Sequence, residues 1–254
     1  MQNHLAVNTM NYYRYKKRNN FSNRIKNLSV TAWLIIINIL VYISLLILNS
    51  ALEGGLVESS AINYFALTTS QILQGKYLSS LILHMFTHTL FFHLAINMFV
   101  LFSLGGLCER IIGKKRFIWF YLAAGLFAGI LTVILSGFFG NSRLGEIIFG
   151  SPAIPAVGAS GAIFGIAALL MVLLPRLKFM IIFLPFFSFP AYALIPAALF
   201  LMWGVSIILG LTTDSGILIG NVAHFGGFLV GLIYGFYLRS KYKRKIQKLQ
   251  KMFR

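Results

Sequence analysis

The chain has 254 residues, of which 58% are hydrophobic and only 11% carry a charged side chain. Soluble proteins have about 25% charged residues and roughly 45–50% apolar residues. The composition therefore excludes a soluble globular domain, and the same high hydrophobicity excludes an intrinsically disordered chain.

Six intervals of the sequence contain no Asp, Glu, Lys or Arg, and each is 24 residues or longer. A helix needs about 20 mainly apolar residues to cross the hydrocarbon layer, and a chain in lipid must satisfy all its backbone hydrogen bonds internally. We therefore predict an all-α, polytopic membrane protein with six transmembrane helices. The predicted spans are residues 30–50, 84–108, 117–138, 153–174, 190–211 and 216–238.

The net charge of +17 would favour nucleic-acid binding in a soluble chain, but its distribution indicates membrane topology instead. If six helices alternate in direction, 20 of the 22 Lys and Arg residues fall on one side of the membrane, which matches the positive-inside rule. This predicts a cell-membrane protein with both termini cytoplasmic and no nucleic-acid partner. The predicted domains are a basic N-terminal segment (1–29), a membrane domain (30–238) and a basic tail (239–254), which either lies against anionic lipid headgroups or is solvated.

Two segments between the predicted spans are not expected to cross the membrane. Residues 51–83 have apolar side chains scattered among hydroxyl and amide groups, which predicts an outer segment that lies in the membrane interface or forms a solvated loop. Residues 177–190 are apolar but interrupted by Pro185 and Pro190. We expect them to be an interfacial lead-in to the fifth helix.

Polar side chains inside the spans are informative, because each costs free energy in lipid unless it is partnered or functional. These residues are His84, His88, His93 and Asn97 in the second span, Ser160 in the fourth and His224 in the sixth. His93 and Asn97 are four residues apart and share one helix face. The predicted helix ends place Ser160 and His224 about seven and eight residues inside their helices, roughly 10–12 Å below the outer surface.

Glycines indicate how these helices approach each other. Gly227, Gly231 and Gly235 recur every four residues in the sixth span, as do Gly161 and Gly165 in the fourth. Small residues at this spacing let helix backbones touch in lipid, and contact between these two faces would bring a serine and a histidine together. A serine within hydrogen-bond reach of a histidine is the minimum for an activated nucleophile. The residues alone leave hydrolysis and proton transport both open.

Metal and cofactor sites are not predicted, because no ligand set for either is present. Cys108 is the only cysteine, which excludes a disulfide framework and a thiolate metal cluster. We expect it to be buried as a small apolar residue.

Four motifs on three of the predicted helices resemble those of the rhomboid family of intramembrane serine proteases. The motifs are His88-x4-His93-x3-Asn97, Gly105-x3-Glu109-Arg110, Gly158-Ala159-Ser160-Gly161 and Ala223-His224-Phe225-Gly226-Gly227. They occur in the family's order, and the resemblance covers about residues 30–238. It implies a six-helix rhomboid-like bundle that acts as an intramembrane serine endopeptidase on single-pass transmembrane proteins, without a cofactor.

Carried over by position, the resemblance assigns Ser160 as the nucleophile and His224 as the general base and acid. His93, Asn97 and the Ser160 amide would form the oxyanion hole. Auxiliary or structural roles would fall to His88, Phe164, Gly158, Gly161, Gly227, Glu109 and Arg110, with Phe164 stacked on the histidine. No acidic third member is implied.

One departure from the family pattern affects the outer segment. The family commonly has a Trp-Arg pair where this chain has Ser79 and Ser80, so whatever that pair does to hold the outer segment in the membrane must be replaced or weakened here. A catalytically silent rhomboid-like scaffold that binds membrane proteins is the alternative function, and a transporter or proton channel is a third hypothesis. The sequence predicts neither the physiological substrate nor the oligomeric state.

Overall fold

The computed structural model describes residues 28–51, 60–181, 184–212 and 220–253, so almost all of the predicted N-terminal segment lies outside the described residues. The helices, in chain order, are α1 (Val30–Ala51), α2 (Thr69–Leu73), α3 (Ser80–Leu83), α4 (Phe91–Ile112), α5 (Lys114–Phe139), α6 (Arg143–Phe149), α7 (Ser160–Leu173), α8 (Ala191–Thr212), α9 (Asn221–Lys241) and α10 (Lys243–Met252). Short 3₁₀ helices cover Ser60–Tyr64 and His84–Phe86. Residues Leu101–Gly105 form a π-helical turn within α4.

Five of the described helices, α1, α4, α5, α8 and α9, are long and apolar enough to cross a membrane. The remaining predicted span, the fourth, is represented by α7, which is apolar but has only 14 residues. Eleven of those 14 residues are buried, so α7 is the central helix and the others surround it. The predicted all-α polytopic membrane fold is confirmed.

A two-stranded antiparallel hairpin is an addition to the predicted fold. Strand β1 (Lys178–Ile181) pairs with β2 (Leu184–Pro190), and Phe179 lies opposite Phe189. The sequence predicted an interfacial lead-in here. Aromatic residues favour strands, and Pro190 occupies the end of its strand, where a missing N–H is tolerated.

Three predicted helix starts are wrong, and each true helix begins later. Helix α4 begins at Phe91 and not near residue 84, so His84 and His88 precede it. Helix α7 begins at Ser160 and not near 153, because the intervening chain contains Pro155 and Gly158, whose φ is positive. Helix α9 begins at Asn221 and not near 216. Ser160 is thus the first residue of its helix and His224 the fourth of its helix, so the predicted distances from the helix ends are also wrong.

The described part of the outer segment, residues 60–83, is packed and hydrogen-bonded. Leu67 forms an antiparallel bridge with Ala156, and the Thr69 and Ser136 hydroxyls lie 2.6 Å apart. At the position of the family's Trp-Arg pair, the buried Ser80 accepts a 2.9 Å hydrogen bond from His84 Nδ1 through its carbonyl. These contacts exclude a freely solvated loop for the described residues and attach the segment to α5 and to the chain before α7.

Glycines bring α7 and α9 into backbone contact. A Cβ on Gly227 would collide with the Gly161 carbonyl oxygen, and a Cβ on Gly231 would collide with that of Gly165. A Cβ on Gly161 would lie 2.7 Å from Ala128 of α5. The predicted contact between the two glycine-bearing faces is confirmed, and α5 packs on the same crossing.

Glu109 joins the end of α4 to the start of α1. Its carboxylate accepts hydrogen bonds from the Val30 amide at 2.9 Å, and from the Thr31 amide and hydroxyl at 2.8 and 2.7 Å. A carboxylate is favourable at a helix N-terminus, where amides lack intrahelical partners. Arg110, expected to share this structural role, is exposed, and its side chain makes no hydrogen bond or ion pair with the described residues.

Several basic residues gather at this end of the bundle, which we call the basic end. Lys114 Nζ donates to the Leu28 carbonyl at 3.0 Å, and Arg116 donates to the Tyr242 hydroxyl at 3.1 Å. Cys108 is fully buried nearby in the main core, as expected for a small apolar residue. The first residues of α1 and α5 and the last residues of α4 and α9 therefore share one end of the molecule.

Replacing Glu109 with Gln is expected to lower the free energy of unfolding by about 1–2 kcal/mol, because a neutral amide is a weaker acceptor for three donors. Chemical unfolding in detergent micelles measures the change. The neighbouring Arg110→Gln variant serves as the control and should unfold like the wild type. Equal stability of the two variants would contradict the capping role of Glu109.

Candidate active site

Ser160 and His224 are brought within hydrogen-bond distance by the crossing of α7 and α9. The Ser160 hydroxyl lies 2.7 Å from His224 Nε2. Ser160 begins α7 and Gly161 follows it, so the backbone contact between Gly161 and Gly227 fixes the separation of the two side chains. The arrangement has the geometry of a nucleophile with its base.

Packing holds the His224 imidazole in place. The Phe164 ring stacks on it with a centroid distance of 4.6 Å and an interplanar angle of 28°. His224 Nδ1 is buried, and no hydrogen-bond partner reaches it from the described residues. When Nε2 accepts the serine proton, Nδ1 must already carry a hydrogen, so ring stacking takes the orienting function that a carboxylate has in Ser-His-Asp enzymes.

Two histidines that lie between the outer segment and α4 position the chain just before Ser160. The Gly158 amide donates to the His84 carbonyl at 2.9 Å, and the Ala159 amide donates to His88 Nε2 at 3.4 Å. Burial, with a smaller contribution from the nearby His93 ring, lowers the pKa of His88 to about 3. A neutral imidazole can accept a hydrogen bond through Nε2, which fits the contact with Ala159.

Gly158 is required by the geometry of this segment. Its φ is +121°, and an added Cβ would lie 2.7 Å from His93 Cε1. The His93 ring therefore packs directly against the backbone two residues before Ser160. Any larger residue at Gly158 would strain the backbone and displace His93.

The His93 ring packs against Gly158, two residues before Ser160, and neither His93 nor Asn97 is hydrogen-bonded to the serine within the described residues. The His93 ring is 5.0 Å from the His88 ring. Asn97 is buried and donates one hydrogen bond to the His93 carbonyl at 2.8 Å. Its amide nitrogen has a second hydrogen, which no described residue accepts.

The sequence analysis did not predict that Ser160 lies at the N-terminus of its helix. The first amides of a helix have no intrahelical acceptor and carry partial positive charge. Because Ser160 is the first helical residue, its amide points out of the helix end beside its own hydroxyl. Pro155 and Gly158 were the available signals that the helix starts late, and the hydrogen-bonding roles of His84 and Ala159 had no signal in the sequence.

Metal binding finds no support in the described ranges, where no group of three His, Cys, Asp or Glu residues is arranged to hold an ion. The chemistry available at the site is that of the hydroxyl, the imidazoles, the amide side chain and the backbone N–H groups. These groups can perform nucleophilic substitution at a carbonyl with proton transfer.

Comparison with known proteins agrees with the motifs. A family model described as Rhomboid domain matches residues 75–241. The human presenilin-associated rhomboid-like protein, mitochondrial, is 32% identical over 183 residues, which are 70% of this chain and 42% of that protein. Rhomboid protein 1, mitochondrial, of Saccharomyces cerevisiae is 25% identical over 70% of this chain and 47% of its own length.

A bacterial relative also matches. Rhomboid protease GluP of Bacillus subtilis is 34% identical over 132 residues, which are 50% of this chain and 22% of that protein. The chain thus spans less than half the length of each of these curated relatives.

Proposed function

Because the chain belongs to the rhomboid family, we propose that this multi-pass membrane protein is an intramembrane serine endopeptidase with a Ser160–His224 catalytic dyad. The observation that carries the proposal is the 2.7 Å contact between the Ser160 hydroxyl and His224 Nε2. His224 is buried and Ser160 is half-buried. Polar side chains in a membrane-embedded bundle cost free energy unless they are functional, and apolar residues could fill the same positions.

The reaction follows from the geometry of the dyad. The Ser160 hydroxyl oxygen attacks the scissile carbonyl carbon while His224 Nε2 takes the hydroxyl proton. The carbonyl oxygen becomes an oxyanion that accepts hydrogen bonds from the Ser160 amide, Asn97 and His93. The carbon–nitrogen bond then breaks as His224 returns the proton to the leaving amine, and a water molecule hydrolyses the acyl-enzyme by the same steps.

The position of the site limits how a substrate can reach it. Ser160 is at the end of α7 opposite to the basic end, and a peptide bond must reach it from the surrounding membrane. A helical carbonyl is hydrogen-bonded to the amide four residues later, so the substrate helix has to unwind before attack. The resemblance to rhomboid proteases implies that the substrates are single-pass transmembrane proteins whose helices unwind near small residues.

For topology, we propose a location in the cell membrane with both termini cytoplasmic. The support is the basic end, where Lys114 and Arg116 lie with the ends of α1 and α9, and the positive-inside rule. The names of the human and yeast relatives place those proteins in mitochondria, while another relative is bacterial. An active alkaline phosphatase fused to the C-terminus in a bacterial host would contradict this orientation.

The test of the catalytic proposal is labelling of the purified protein with a fluorophosphonate, which reacts with activated serines. We expect the wild type to be labelled at Ser160 and the Ser160→Ala variant to remain unlabelled. Failure of the folded wild type to react would overturn the dyad proposal in favour of a silent scaffold that binds membrane proteins.

Replacing Asn97 with Ala is expected to raise the activation free energy by about 2–4 kcal/mol if Asn97 donates to the oxyanion. The loss should appear in kcat and not in KM, because the oxyanion forms only in the transition state. Cleavage kinetics in proteoliposomes measure both constants. Asn141→Ala, at an exposed asparagine, is the control, and an unchanged kcat for the Asn97 variant would remove this residue from the oxyanion hole.

A further inference from the structure

Helix α10 is amphipathic, and its apolar side is turned toward the protein. Ile246 is buried, and Leu249 and Phe253 pack against the main core. Gln250 Nε2 donates to the Leu173 carbonyl at 2.9 Å, which satisfies one of the free carbonyls at the end of α7. These contacts fix the rotation of α10 about its axis.

The opposite side of α10 is strongly basic. Its exposed residues include Lys243, Arg244, Lys245, Lys248 and Lys251. The helix contains no acidic residue, and none of these five side chains forms an ion pair within the described part of the chain. The positive charge is therefore not compensated by neighbouring acidic groups of the described chain.

The position of α10 places this charge at the membrane boundary. The helix starts beside α5, where the Arg116 guanidinium lies 5.5 Å from the centre of the Tyr242 ring. It ends beside Leu173, the last residue of α7. Because α10 lies against the ends of two membrane-embedded helices, α5 and α7, it runs along the surface of the membrane at the basic end.

We propose that α10 and Arg116 form a binding surface for the headgroups of anionic phospholipids in the adjacent leaflet. A surface-lying helix with Lys and Arg on its polar side binds anionic lipid by electrostatic attraction. Peripheral amphipathic helices usually bury their apolar side in the acyl chains. Here that side is already occupied by the protein core, so attraction to lipid rests on charge alone and is specific for anionic headgroups.

The hydrogen bond between Gln250 and Leu173 connects the lipid-binding surface to the central helix α7. Lipid bound to the basic side of α10 holds the helix against the end of α7, whose other end carries Ser160. Lipid composition is thereby expected to affect the stability of the bundle. The binding inference itself does not depend on the proposed protease activity.

The experiment places a fluorescent label on α10 and measures quenching by spin-labelled lipids. Gln247 is exposed and Cys108 is buried, so a Gln247→Cys variant takes the label at position 247. In bilayers of phosphatidylcholine, we expect spin-labelled phosphatidylglycerol to bind beside the label at least about fivefold more strongly than spin-labelled phosphatidylcholine. This is the factor that one basic residue near an anionic surface contributes.

Charge variants test whether α10 causes the preference for the anionic lipid. Lys245→Gln with Lys248→Gln should abolish most of the preference, whereas Lys76→Gln with Arg143→Gln removes the same charge from elsewhere and should leave it unchanged. High salt should also weaken it. Equal quenching by the two lipids in the wild type, or an undiminished preference in the Lys245 and Lys248 double variant, would overturn the proposal.

Discussion

Replacing Ser160 with Ala is expected to abolish cleavage of a single-pass transmembrane substrate, lowering the rate by about 10⁴-fold or more. The variant loses the only hydroxyl bonded to His224 Nε2 in the described structure. Alanine is well tolerated in helices, so the variant should insert and fold normally. Product formation in proteoliposomes measures the rate, and chemical unfolding in detergent checks the fold.

A matched serine variant separates catalysis from a general effect of removing a hydroxyl. Ser103 is exposed on α4, where its hydroxyl donates to the Phe99 carbonyl of the same helix. Ser103→Ala should cleave at the wild-type rate. Wild-type cleavage by the Ser160→Ala variant would end the proposal that this serine is the nucleophile.

Replacing His224 with Ala should lower the cleavage rate by a similar factor, and the effects of the Ser160 and His224 substitutions should not add. Residues that act as a unit in catalysis lose nearly all their effect when either is removed. The double variant Ser160→Ala with His224→Ala is therefore expected to be no slower than either single variant. A further large loss in the double variant would indicate that the two residues contribute independently.

Replacing Gly227 with Ala is expected to lower the free energy of unfolding by about 3 kcal/mol, at the upper end of typical overpacking costs. The added methyl group would collide with the Gly161 carbonyl oxygen, which belongs to the backbone and has little freedom to move. Helices α7 and α9 would have to separate, and Ser160 would move away from His224. Loss of stability and loss of cleavage should therefore appear together.

Gly204 supplies the control for this substitution. It lies in α8, and a Cβ built there meets no heavy atom within 4 Å. Gly204→Ala should keep or slightly raise stability, since alanine favours a helix over glycine by about 1 kcal/mol. Equal unfolding free energies for the Gly227 and Gly204 variants would show that the close crossing is not needed for the fold.

The membrane architecture could be predicted from the sequence because the cost of charge in lipid acts on each segment separately. The charge-free intervals locate α1, α5 and α8 to within a few residues, and the glycine repeats identify the faces on which α7 and α9 meet. Both signals are local, since one depends on composition over about 20 residues and the other on spacing along one helix. The motifs around Ser160 and His224 led to the prediction of a serine endopeptidase.

Helix starts were harder to predict because an apolar residue is compatible with lipid in any backbone conformation that is hydrogen-bonded. The chain before α7 is apolar enough to extend a span, yet its Gly158 and Ala159 amides donate hydrogen bonds to His84 and His88. Its partners are distant in sequence, and Ala159 and His88 are 71 positions apart. No local pattern encodes such a pairing.

The sequence by itself thus determined that this protein is a membrane protein and which segments are apolar enough to cross the bilayer, and it predicted which residues react. The tertiary structure decided that Ser160 starts its helix, that Glu109 caps α1 and that α10 turns a basic side outward. Each of these features depends on hydrogen bonds or contacts between distant segments. Their energies arise only when the chain is packed, whereas the cost of placing charge in lipid is already present in each isolated segment.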